Sequence, residues 1–126
     1  MTDFVPAPAL RLACGETRAV PAQLIPAALI FAPAGSVPSD VERVARCTLQ
    51  AHLAGDHHGF VLDLPGPDTG SVWTTWAPGG EPASVAVLPD CPVEEEATHE
   101  PCCEFAGHPG AHTFELTDPW PGAPRC

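Results

Sequence analysis

A small, mostly-β fold with little helix, a β meander carrying two metal-pinned loops, is predicted by three features of this sequence. Seventeen Pro and eleven Gly make up about a fifth of the 126 residues, which leaves no room for long regular elements. Three short runs rich in β-branched and aromatic residues lie between Pro-Gly turn signals in the middle of the chain. Two Cys/His segments, CTLQAHLAGDHHGF at 47–60 and CEFAGHPGAHTF at 103–114, repeat one another and hold five of the six histidines. The whole chain, 1–126, reads as one internally duplicated domain. A first Cys/His unit and strand occupy about 10–64, a meander 65–90 and a second unit and strand 91–118, with loose tails at 1–9 and 119–126.

Leu10 to Glu16 and Gln23 to Ala32 are apolar runs interrupted or flanked by Pro and read as irregular strands. Ser39-Asp40-Val41-Glu42 has the form of a capping box that could open a helix. A strand over 41–47 is preferred, because a metal-binding turn follows extended chain more readily. Phe60–Leu64, Ser71–Trp76 and Ala83–Leu88 are the three meander strands, separated by Pro65-Gly66-Pro67 and Pro78-Gly79-Gly80. In the middle strand Val72, Thr74 and Trp76 share one face, and Trp73 and Thr75 the other. His112 to Thr117 reads as a fourth strand after the acidic segment 93–100.

The core supply is thin: much of the apolar fraction is Ala and Cys, with two Ile, one Met and no Tyr. Small domains with weak cores need metal, disulfides or a partner. The repeated segments supply Cys-x4-His-x4-His in Cys47, His52 and His57, and Cys-x4-His-x3-His in Cys103, His108 and His112. Zinc takes thiolate and imidazole in a tetrahedron, and loops of this length let such ligands converge. Gly55 and Gly110, each two residues before the last His, let the loop double back. His58 has no counterpart in the second copy, where Thr113 stands, and is read as a spare. Cys14 is the upstream cysteine that can complete the first site. Cys91 is preferred for the second, with Cys102 as the alternative and His99 or Cys126 less suited. One or two zinc ions are expected.

The half-motif Cys-x4-His-x4-His is similar to the second half of a retroviral-type zinc knuckle, Cys-x2-Cys-x4-His-x4-Cys. Val44 and Glu100 stand at the position of the knuckle's first cysteine, and histidine replaces its last. The likeness covers about a dozen residues per unit, and the basic residues that serve nucleic acid in knuckles are missing. The duplicated pattern also resembles motifs in small uncharacterised proteins of GC-rich bacteria, a likeness that implies no activity.

A net charge of −11, with all five basic residues Arg and no Lys, repels phosphate backbones and argues against nucleic acid. It suits a protein partner with a basic surface, for which Glu94-Glu95-Glu96 and Glu100 could form an acidic patch. Leu12-Ala13-Cys14-Gly15 and the apolar stretch 19–31 lack the order of a secretion signal and fall short of a membrane span. A cytoplasmic bacterial protein is therefore expected, acting as an adaptor, accessory subunit or inhibitor rather than an enzyme. Two alternatives stay open. One is a small metalloenzyme with an open Cys-His-His zinc, for which Asp56 or Glu104 could serve as base, or a Cys47–His58 nucleophile pair. The other is a secreted binding protein whose six cysteines form disulfides.

Overall fold

The computed structural model describes residues 11–66 and 69–117. The expected tails, Trp120 and Cys126 lie outside them. The described elements in chain order are β1 (Thr17–Ala19), α1 (Leu24–Leu29), a 3-10 turn (Pro38–Asp40), β2 (Val44–Arg46), β3 (His57–Asp63), β4 (Ser71–Trp76), β5 (Val85–Leu88) and a second 3-10 turn (Thr113–Glu115). The fold is mostly β, in two small antiparallel sheets: β1 pairs with β2, and β3-β4-β5 form the meander in that order.

The meander follows from its sequence. In β4 every side chain but Thr75 is buried, because its two faces are both covered. In β3 the register slips between Phe60 and Leu62, so that consecutive Val61 and Leu62 both enter the core. The core gathers Val20, Leu24, Ile25 and Ala28 from the helical side with Val41 from the approach to β2 and Ala45, Cys47 and Leu49 from β2 and its exit. These pack on Val61, Leu62, Val72, Trp73 and Trp76 of the sheet, and Phe105 joins from the second unit.

Three elements differ from the sequence reading. The segment expected as an irregular strand at 23–32 contains α1. Pro26 falls in the first turn, where its missing N–H is one of the donors a helix leaves unpaired, so it does not break the element. Leu24, Ile25 and Ala28 then share the buried side. Asp40 does cap, but only a single 3-10 turn: its carboxylate accepts from Val37 N at 2.9 Å, and the chain is extended again by Val44. The expected fourth strand at 112–117 is instead the second 3-10 turn. It is closed by Glu115, whose carboxylate accepts from His112 N at 2.9 Å, and only Thr117 makes a β-bridge, to Leu12.

The acidic segment is a built turn. Glu95 accepts from Ala97 N and Thr98 N at 2.8 and 2.7 Å, and His99, at φ +60°, lies 2.7 Å from the Glu94 carboxylate. No helix among the described residues is long and apolar enough to cross a membrane.

Candidate metal centres

Two groups of four side chains converge, each with two cysteines and two histidines. Cys14, Cys47, His52 and His57 form one; Cys91, Cys102, His108 and His112 form the other. In each, the four ligand atoms lie within 4.8 Å of one another. Strand ends position the first group. Cys14 lies on the extended chain before β1, Cys47 directly follows β2, His52 sits on the connecting loop and His57 opens β3.

The spacing fits a tetrahedral ion. Zinc bonds of about 2.3 Å to sulfur and about 2.0–2.1 Å to nitrogen place S and N about 3.6 Å apart, and two N about 3.3 Å apart. In the first group Cys14 Sγ is 3.4 Å from His57 Nδ1 and Cys47 Sγ is 3.7 Å from His52 Nε2. In the second, Cys91 Sγ is 3.6 Å from His112 Nδ1, Cys102 Sγ is 3.4 Å from His108 Nε2, and His108 Nε2 is 3.2 Å from His112 Nδ1. Both groups therefore use Nε2 of the first histidine and Nδ1 of the second.

The outer contacts repeat as well. His52 Nδ1 lies 2.9 Å from Ala54 O, and His108 Nδ1 lies 3.1 Å from Pro109 O. Donation of Nδ1–H to these carbonyls fixes the tautomer that leaves Nε2 free for a metal. The backbone N–H groups of Leu49 and His58 favour a thiolate at Cys47; those of Glu104 and Thr113 do the same at Cys102. His58 thus has a counterpart in Thr113 as a backbone donor, while its ring packs on Phe105 at 4.5 Å between centroids. His57 stacks on Trp76, and the Arg18 guanidinium, paired with Glu16 at 2.8 Å, lies over the same indole.

The backbone defines how the copies superpose. Cys14 N donates to Leu49 O and Cys91 N to Glu104 O; Ala51 N donates to Leu12 O and Ala106 N to Pro89 O; Cys47 N donates to Glu16 O and Cys102 N to Val93 O. The bridges Ala13–Gln50 and Asp90–Phe105 fall in the same register. Cys14 thus corresponds to Cys91, and Cys47 to Cys102. The sequence reading had aligned Cys47 with Cys103 and kept Cys102 as an alternative to Cys91. The structure instead brings Cys91 and Cys102 together and leaves Cys103 outside the cluster. Neighbouring residues on extended chain face opposite ways. Cys102 is buried toward the ligands, while Cys103 is half-buried, its Sγ 3.7 Å from Pro101 O. A signal for this register was present: Cys47 to His57 and Cys102 to His112 are both steps of ten residues.

The doublet gives a sharp test. Cys102→Ser is expected to remove one bound metal per chain, whereas Cys103→Ser keeps the full complement, read by metal analysis of the two purified variants.

Burial sets the protonation states. The Cys47 thiol is pushed up to about 12 by burial, with the neighbouring Cys14 acting in the same direction, and burial also raises Cys102. His57 is lowered, first by burial and then by His52, which favours the neutral, ligating imidazole. Of the two candidate bases, Asp56 is exposed, while Glu104 is 1% exposed and its carboxyl is raised by burial. The Thr48 hydroxyl beside it acts the other way, but neither carboxylate oxygen has a hydrogen-bond partner of good geometry.

No family model, curated protein or solved structure matches the chain. The reading of the two centres therefore stands on their own geometry: two Cys2His2 groups able to hold a metal ion.

Proposed function

We propose that this protein is a zinc-stabilised interaction module, in which two structural Cys2His2 sites hold a small acidic scaffold in shape for a protein partner. The convergence of four ligand atoms within 4.8 Å, twice in one chain, carries this reading. Two thiolates and two imidazoles in a tetrahedron suit zinc, and four protein ligands close the coordination shell as structural sites do. A catalytic zinc keeps a position for water.

The surface supports the partner role. Ile30, Phe31 and Val37 at the end of α1 and the following turn are exposed, and Leu53 at the tip of the first metal loop is fully so. With a net charge of −11, a basic partner surface is the complement. The four cysteines of the two groups are free thiols, which supports a reducing compartment, whereas Cys103 is disulfide-bonded and favours an oxidising one.

Metal analysis of untagged protein tests the reading. About two zinc ions per chain are expected, and cobalt substitution should give the intense visible absorption of a tetrahedral thiolate site. Metal-free protein that is fully folded would overturn it. Capture of a partner from the native host should be weakened by salt and lost on chelation; capture that survives chelation removes zinc from the interaction role.

The protonation states add a pH dependence. Cys47 and Cys102 are protonated before metal binds, because burial raises both thiols. Zinc must displace those protons, so apparent affinity rises with pH. Between about pH 6 and about pH 8 each displaced thiol proton should add about one unit of log affinity per pH unit. His57, lowered by burial, is already neutral over most of that window and adds little. Competition titrations with a chromophoric chelator at several pH values measure the slope.

A further inference from the structure

The superposition of the two units places Glu104 where the first unit has Leu49. Both side chains are fully buried, at 1% exposure. A leucine there is ordinary core. A carboxylate there is desolvated, and with only the Thr48 hydroxyl beside it neither of its oxygens has a hydrogen-bond partner of good geometry.

Glu104 lines a cleft of about 800 Å³. The same cleft is lined by Trp73, whose Nε1–H is also buried and unpartnered. Trp73 is held rigidly, edge-to-face with Phe60 at 6.1 Å and Phe105 at 5.3 Å. Asp63 and Asp90 stand along the cleft, each with Oδ1 3.4 Å from the Ser71 hydroxyl. Arg46 is the one basic residue of its described lining, and it has interactions of its own.

We propose that this cleft binds an arginine side chain of a partner polypeptide. The two acceptor oxygens of one planar carboxylate, with only the Thr48 hydroxyl near them, match the two parallel N–H groups of a guanidinium. Aromatic walls suit the same group, which is weakly hydrated and stacks on rings where an ammonium does not. The orphan indole N–H asks for an acceptor, which a peptide carbonyl next to the arginine supplies and free guanidinium does not. Asp63 and Asp90 add an attractive field at the approach. Cys91 and Cys102, two ligands of the second metal centre, also line the cleft, so the site borders that centre and needs it loaded.

Titration of the metal-loaded protein with N-acetyl-arginine methylamide, followed by tryptophan fluorescence and calorimetry, tests the assignment. Saturable binding is expected, with agmatine, which lacks the carbonyl, binding more weakly. The citrulline analogue, isosteric but uncharged, should lose at least about tenfold in affinity. Glu104→Gln should lose a similar factor. Glu104→Leu, copying the first unit's Leu49, should fold at least as stably as the parent with its metal content intact and show no binding. The proposal is overturned if the parent shows no saturable binding, if the citrulline analogue binds equally well, or if Glu104→Leu binds undiminished. Binding that emerges only in Arg125→Gln would assign the cleft to this chain's own arginine and overturn the external partner.

Discussion

Stripping metal from the native protein with a strong chelator is expected to abolish its cooperative thermal transition, with the second unit melting first. A structural zinc in a small Cys/His domain is worth about 10–16 kcal/mol at neutral pH, which matches or exceeds the total stability of about 5–15 kcal/mol usual for a folded domain. Apart from the disulfide-bonded Cys103, little in residues 91–117 could take over that role. This stretch contains no sheet strand, only isolated bridges and one 3-10 turn. Its buried side chains are Cys91, Cys102, Glu104, Phe105 and Leu116, two of them ligands and one a carboxyl. The first unit has more to fall back on. Cys47 and Leu49 belong to the main core, and β3 remains paired with β4 along its length. Cys102→Ser or His112→Ala should therefore loosen 91–117 while leaving the meander protected in hydrogen exchange. Cys47→Ser or His57→Ala should cost the cooperative transition itself. Circular dichroism melts of the metal-loaded, stripped and reloaded protein read the difference, and an unchanged Tm after verified metal removal would refute a structural role for the ions.

The parts of this architecture that were legible in the sequence are those in which local chemistry and tertiary structure agree. The meander announced itself because β-branched and aromatic runs alternate with Pro-Gly turns, and the structure keeps Ser71–Trp76 as a strand with the bounds its pattern implied. Gly55 and Gly110 were legible for a similar reason: both adopt positive φ, +88° and +78°, in loops that have to reverse before the last histidine. What was hidden depended on direction. A proline near the start of an apolar run looks like a breaker unless it falls in the first helical turn, as Pro26 does. An adjacent pair such as Cys102-Cys103 presents one thiol to each side, and composition does not say which side holds the site. The Cys-x4-His spacing pointed to Cys103, whereas the ten-residue step to the last histidine pointed to Cys102. The second spacing spans the whole loop and is the one the backbone hydrogen bonds obey. The unusual burial of Glu104 became visible only once that register was known, because in the other alignment it has no leucine for a counterpart.

Gly59→Ala is expected to destabilise the protein by about 1–3 kcal/mol, the usual cost of forcing an extra methyl into packed space. Gly59 sits in β3 and bridges to Cys47, where the end of β2 runs alongside β3. A Cβ at this position would lie 2.5 Å from Ala45 Cβ, 3.2 Å from the Ala45 carbonyl carbon and 3.1 Å from Trp76 Cζ3. None of these atoms is the free end of a flexible side chain: Ala45 and Trp76 are themselves almost fully buried. The relief has to come from β2 moving away, and Cys47 directly follows β2. The substitution should therefore weaken zinc at the first site and leave the second at full occupancy, which separates it from a general loss of fold. At this chain length each kcal/mol lowers Tm by about 4 °C. Ala45→Gly removes the nearest clashing atom, so the double variant Gly59→Ala with Ala45→Gly should recover first-site affinity, even though Ala45→Gly alone weakens β2. A cycle of the two single variants and the double, read by Tm and by zinc competition, measures that coupling. Additive effects would mean that β2 and β3 are not held together at this spacing, and that the first metal centre is positioned by its loops rather than by the strands that carry it.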